Sequence, residues 1–141
     1  MDWAALITWV LTAGGGFVLL ALWLKGGGMN QRERGRIRPA IILGHFALAA
    51  AGLVLWIVYV ASDRQTISWI AFVLLLVVAA IGFAMFGIWL SQRRGRGGNL
   101  SESAVSAPAE QRFPIAIVGL HGLLAATTLV LVFLATIGVG S

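Results

Sequence analysis

The chain has 141 residues, of which 60% are hydrophobic and 11% charged, and its mean hydropathy is +0.95. Water-soluble domains carry about 25% charged residues, so this chain has too few charges to cover a globular surface and reads as an integral membrane protein. It has no cysteine, which excludes disulfides and thiolate metal sites. Its net charge of +5 is distributed in a way that speaks for membrane topology rather than nucleic acid.

The first apolar stretch covers residues 3–24. Asp2 and no basic residue precedes it, whereas a cleaved signal peptide opens on a basic region, so it reads as a retained helix. A loop, residues 25–38, follows with Lys25, Arg32, Arg34, Arg36 and Arg38, and its Gly26, Gly27 and Gly28 predict flexibility. The second stretch is 39–61. Residues 62–66 form a short turn, and the third stretch is 67–90, so the two make a hairpin. A second loop, 91–112, is rich in Gly, Ser and Ala, carries Arg93, Arg94, Arg96 and Arg112, and is predicted to be mobile. The fourth stretch is 113–138. Each stretch exceeds the roughly 20 residues that cross a hydrocarbon core of about 30 Å at about 1.5 Å per residue. In lipid the backbone must satisfy itself, so these are helices, and they are too long and evenly apolar for barrel strands.

Nine of the ten basic residues lie in the two longer loops, and only Arg64 lies elsewhere. Positive charge marks cytoplasmic loops, which places both termini outside the cytoplasm, in a multi-pass protein of a plasma membrane of bacterial type. Anionic lipid head groups are natural neighbours of such loops. Trp3, Trp56, Tyr59 and Trp69 are expected at the outer interface and Trp23 and Trp89 at the inner one, as aromatic belts without a catalytic role.

The sequence also repeats itself. Shifted by 66 residues, Trp3, Gly16, Phe17 and Trp23 fall on Trp69, Gly82, Phe83 and Trp89. Shifted by 76, Arg36, Ala40, Ile41, His45 and the run Leu53–Val54–Leu55 fall on Arg112, Ala116, Ile117, His121 and Leu129–Val130–Leu131. Apolar helices match easily by chance, but the Trp, Gly-Phe, Arg and His matches carry weight. The expected fold is an all-α integral membrane protein: one four-helix transmembrane domain over residues 1–141. It is an antiparallel bundle of two tandem helical hairpins, related by a parallel pseudo-two-fold axis along the membrane normal.

His45 and His121 are the only histidines, and both lie inside spans. Ionisable side chains in hydrocarbon are costly, which makes them functional candidates. They lie 7 and 9 positions from Arg38 and Arg112, about 10 and 13 Å from the cytoplasmic flank at ~1.5 Å per residue. Two imidazoles at one level suit haem b, one per chain, whose iron needs only two axial ligands. Zinc needs more ligands than these spans offer, and copper meets the same shortage. Met85 reads as packing.

Ala49 and Ala125 share the faces of the two histidines and leave room beside them, as do Gly52 and Thr128. Gly16 and Gly82 come to nearly the same depth and would let backbone approach a macrocycle. Phe17 and Phe83 could pack on it, and Arg36, Arg38 and Arg112 could pair with its propionates. The blander readings are small-residue helix packing, as for Thr12 with Gly16, and interhelical hydrogen bonding by the histidines.

This arrangement loosely resembles the bis-histidine four-helix sites of b-type cytochromes. The likeness covers His45, His121 and the bundle around them, and rests on arrangement rather than on a family signature. It implies one-electron transfer: an electron carrier rather than a stand-alone catalyst, a small cytochrome subunit or anchor exchanging with a redox subunit or with quinone. Only Thr127 and Thr128 offer a polar pair at mid-depth for a quinone. A non-catalytic accessory or scaffold subunit without cofactor, which a homo-oligomer would also suit, is the alternative. A transporter or channel has no charged lining or broken helix to support it. Hydrolytic and phosphoryl-transfer chemistry has no constellation.

Overall fold

A computed structural model describes residues 1–30, 37–95 and 108–140. It is all-helical there, with α1 Asp2–Lys25, α2 Pro39–Ser62, α3 Gln65–Gly95 and α4 Ile115–Thr136, plus 3₁₀ turns at Gly28–Asn30 and Ala109–Arg112. All four long helices are long and apolar enough to cross a membrane. Large side chains such as Leu11, Val54, Ile70 and Leu123 stay exposed on their outer faces, a surface suited to lipid and costly in water.

Local chemistry sets the helix ends. Arg38, extended as residues before proline must be, caps α2, with Pro39 in its first turn. Pro114 caps α4, so that helix starts two residues inside the apolar stretch. α4 closes in a Schellman motif: Gly138 takes φ 84°, its N–H bonds Ala135 O at 3.0 Å, and Val139 N–H bonds Leu134 O at 2.9 Å. Gly27, at φ 78°, turns the chain out of α1 in the same left-handed region. Between α2 and α3 only Asp63 and Arg64 intervene, Asp63 at φ 53°. α3 runs past its apolar stretch through Ser91, Gln92, Arg93 and Arg94 to Gly95, because Gln and Arg are good helix formers once the chain leaves the apolar zone.

Two sets of contacts tie the ends together. At one end the Met1 ammonium donates to Gly140 O at 2.7 Å, Trp56 Nε1 donates to Asp2 O at 3.3 Å, and the Gln65 amide donates to Thr136 O. At the other, Trp89 Nε1 donates to Glu110 O at 3.0 Å, Arg93 Nη1 donates to Phe113 O at 3.3 Å, and the Gln111 amide donates to Gln92. Gly28 is buried beneath the Trp23 indole, and Gly26 abuts Ala109 of the second loop. Bare glycine backbone can lie flat on an indole where a side chain would collide.

The aromatic-belt expectation needs correction. Trp3 and Trp69 do face outward, but Trp56 and Tyr59 are buried with Trp9 in the main core, and Trp23 and Trp89 are buried as well. Trp56 and Tyr59 pack with ring centroids 4.8 Å apart, and Trp9 lies 6.3 Å from Trp56. The large apolar area of these rings makes them core material, and the Trp56 and Trp89 N–H groups find backbone carbonyls there.

The core is completed by Ala5, Ala71, Leu75, Val132 and Ala135, so every helix contributes two residues. Its pattern recurs along the chain. Ala5, Trp9, Thr12 and Trp23 are buried in α1, and Ala71, Leu75, Val78 and Trp89 in α3, each 66 positions further on. Gly52, Trp56 and Tyr59 are buried in α2, and Thr128, Val132 and Ala135 in α4, each 76 further on. The offsets that align the sequence also align the buried faces.

Candidate functional site: two histidines seated on glycines

His121 reaches from α4 to α1. Its Nδ1 lies 3.0 Å from Thr12 O. A Cβ built on Gly16 would stand 3.1 Å from the His121 Cε1, and one on Gly15 would stand 3.5 Å from its Nδ1. The imidazole therefore lies on bare α1 backbone. Thr12 and Gly16 are one helical turn apart, and the Thr12 carbonyl points along the helix toward Gly16. A side chain at position 16 would cover that carbonyl. Glycine leaves its second lone pair open to the imidazole. The Thr12 and Thr128 hydroxyls lie 3.0 Å apart across the same contact, and each is also 2.8 Å from the carbonyl four residues back, at Thr8 and Leu124; with one proton each, one hydroxyl donates to its own-helix carbonyl and accepts from the other.

His45 makes the corresponding contact from α2 to α3. A Cβ on Gly82 would stand 3.2 Å from the His45 Cε1. The ring's Nδ1 is buried beside the Val78 backbone, and no hydrogen bond of good geometry forms there. Val78 and Gly82 hold the positions of Thr12 and Gly16, 66 residues on. Each histidine thus takes the glycine of a neighbouring helix as its seat. With Nδ1–H donated to Thr12 O, His121 keeps the Nε2 lone pair free as a ligand. Metal-binding histidines are held in their ligating tautomer by such bonds. In His45 the same nitrogen is an orphaned buried polar atom.

The layer around the histidines packs unlike the rest. No described side chain is buried between Thr12 and Trp23 in α1, between Ile37 and Gly52 in α2, between Val78 and Trp89 in α3, or between Ile115 and Thr128 in α4. These stretches are each ten residues or more, so the layer is about 15 Å deep at ~1.5 Å per residue. Bundles packed face to face bury central positions every three to four residues. Above the layer sits the aromatic core, and below it sit Trp23 and Trp89.

The other expected site residues lie as follows. Ala49 and Ala125 are half-buried within this layer. Phe17 turns outward and meets Phe46 edge-on, centroids 5.1 Å apart, and Phe83 is 68% exposed on the outer face. Arg38, just before α2, and Arg112, just before α4, are both exposed. Arg36 lies outside the described residues. Gly52 accommodates Trp9, whose ring would stand 3.0 Å from an added Cβ, and Thr128 is taken up by Thr12. Thr127 is exposed and bonds Leu123 O. Gly15, one of three consecutive glycines with nothing to single it out, escaped the sequence reading of the site, and the burial of Glu110 at the end of the bundle escaped it as well. The Glu110 side chain is buried, with Oε1 unpartnered, although it sits in a polar loop.

Among the described residues, no three His, Cys, Asp or Glu side chains gather as a metal-binding group. The donor set is the imidazole pair. No protein-family model, curated protein or solved structure matches the chain.

Proposed function

We propose that the chain is a membrane-embedded b-type cytochrome component, with one haem held between His45 and His121. The observation that carries this reading is the unburied layer centred on two imidazoles whose ring nitrogens are not both consumed by the protein. A group that requires exactly two axial protein ligands suits this donor set, whereas zinc would require a third and fourth. Bound haem would supply reversible one-electron chemistry. The chain's own contribution is to hold both imidazoles in place, through Thr12 O and the glycine seats, and to cap the layer against water with its aromatic core on one side and Trp23 and Trp89 on the other.

The matched burial offsets support a bundle of two hairpins about a pseudo-two-fold axis. The contacts at the two ends support antiparallel neighbours. With the basic loops in the cytoplasm, both termini lie outside and the haem lies toward the cytoplasmic face. Arg38 and Arg112 stand on that side, where propionates would meet water. Electrons would pass to a redox subunit or to quinone.

The test is an absorption spectrum of the purified chain from haem-replete cells. A reduced-minus-oxidised difference with the sharp bands of low-spin haem is expected, lost in His45→Ala and in His121→Ala with membrane insertion intact. A colourless protein, or single variants with the parental spectrum, would overturn the assignment. The second reading, an accessory subunit without cofactor, is favoured by one observation: the His121–Thr12 bond is itself a helix-packing device. On that reading His121→Ala weakens α1–α4 association and nothing else.

A further inference from the structure

A groove of about 390 Å³ opens between α3 and α4. Phe86 and Leu90 of α3 and Val118 and Gly119 of α4 line it with apolar surface, and Arg93 and Arg94 line it toward the end of α3. From Arg93 to Phe86 is seven residues along one helix face, about 10 Å at ~1.5 Å per residue, so charge and hydrocarbon are graded along the bundle axis. Arg93 is held in position: it lies 4.9 Å over the Trp89 ring and gives one N–H to Phe113 O. A guanidinium has five donors, so the others remain for a ligand.

In the first hairpin the positions equivalent to Arg93 and Arg94 are Gly27 and Gly28. There the chain folds back, and Gly28 covers Trp23. The first copy thus covers its indole with glycine backbone, while the second covers its own with the Arg93 guanidinium and carries two cations there. Positive charge is supplied in the first loop as well, by Arg32, Arg34 and Arg36.

We propose that this groove is a binding site for an anionic phospholipid of the cytoplasmic leaflet. The phosphate lies on Arg93 and Arg94, and an acyl chain runs down past Leu90 and Gly119 to Phe86. A soluble anion would leave the apolar surface unused, and a zwitterionic lipid would set a second positive charge beside the arginines. The inference uses the membrane orientation proposed above and is independent of haem.

The test uses the full chain, delipidated and exchanged into mixed phosphatidylglycerol–phosphatidylcholine, with retained lipid counted by native mass spectrometry. The parent should retain phosphatidylglycerol preferentially. The Arg93→Gln/Arg94→Gln variant should lose about thirtyfold in that preference, as expected for two basic residues at a membrane surface. Gly119→Leu changes no charge, meets no atom within 4 Å of its added Cβ and puts a side chain into the groove; with helicity matching the parent, it should lose retained phosphatidylglycerol too. Lys25→Gln/Arg38→Gln removes the same charge at the same end and should leave the preference in place. Three results would each overturn the proposal: an unchanged preference in Arg93→Gln/Arg94→Gln, an equal loss in Lys25→Gln/Arg38→Gln, or displacement of the lipid by millimolar glycerol phosphate.

Discussion

Gly16 and Gly82 give the sharpest handle on the histidine site, because the perturbation is one methyl group of known position. In Gly16→Ala the new Cβ would lie 3.1 Å from His121 Cε1, and in Gly82→Ala 3.2 Å from His45 Cε1. Carbon atoms settle at about 3.5–4.0 Å, so each ring must retreat by roughly 0.5 Å. Overpacking of this kind costs about 1–3 kcal/mol, and about 1.4 kcal/mol is a tenfold change in binding. Each Ala variant should therefore hold haem about 5- to 150-fold more weakly, and Gly16→Leu or Gly82→Leu more weakly still. The double Ala variant should combine both losses, since each glycine serves its own ring. The assay is titration of the apoprotein with haem, followed by the low-spin visible bands. Gly14→Ala and Gly44→Ala are matched controls, because an added Cβ meets nothing within 4 Å at either position. Retention of parental affinity in both Leu variants would refute the seat argument, and so would equal losses in the two controls.

Other consequences are independent of the cofactor. The Thr12–Thr128 hydroxyl pair should couple by about 0.6 kcal/mol in a double-mutant cycle of Thr→Ala changes, typical of hydrogen bonds between membrane helices. Each hydroxyl keeps its own-helix carbonyl when its partner is removed, so a coupling of several kcal/mol in detergent unfolding would contradict this geometry. Gly28→Ala puts a methyl group inside the Trp23 indole and should destabilise by about 1–3 kcal/mol, with a red-shifted, more quenchable tryptophan emission; an unchanged thermal midpoint would mean the loop does not dock on that ring. The absence of cysteine makes labelling clean. Arg64→Cys should react with an impermeant maleimide in intact cells, and Arg94→Cys only after lysis. The reverse pattern would invert the topology.

Much of this molecule follows from sequence pattern alone. The four apolar stretches mark α1 to α4 because hydrocarbon admits no other backbone solution for a single run of that length. Pro39 and Pro114 set helix starts through their missing N–H, and His45 and His121 stand out because almost nothing else inside the spans can ionise. The 66- and 76-residue offsets reappear in the buried faces for a simple reason: repeated side chains pack in repeated ways.

Tertiary structure decided the rest, since it depends on which helix lies against which. Periodicity cannot tell an interfacial tryptophan from one turned inward, so Trp56 and Trp89 were legible as aromatic and not as core. Nor can it say that Gly16 exposes the Thr12 carbonyl to His121, because that bond spans 109 residues of chain. That Gly28 backbone covers the Trp23 indole while the Arg93 guanidinium lies over Trp89 was likewise a matter of packing, a difference of side-chain volume and charge that acts only once the helices are together.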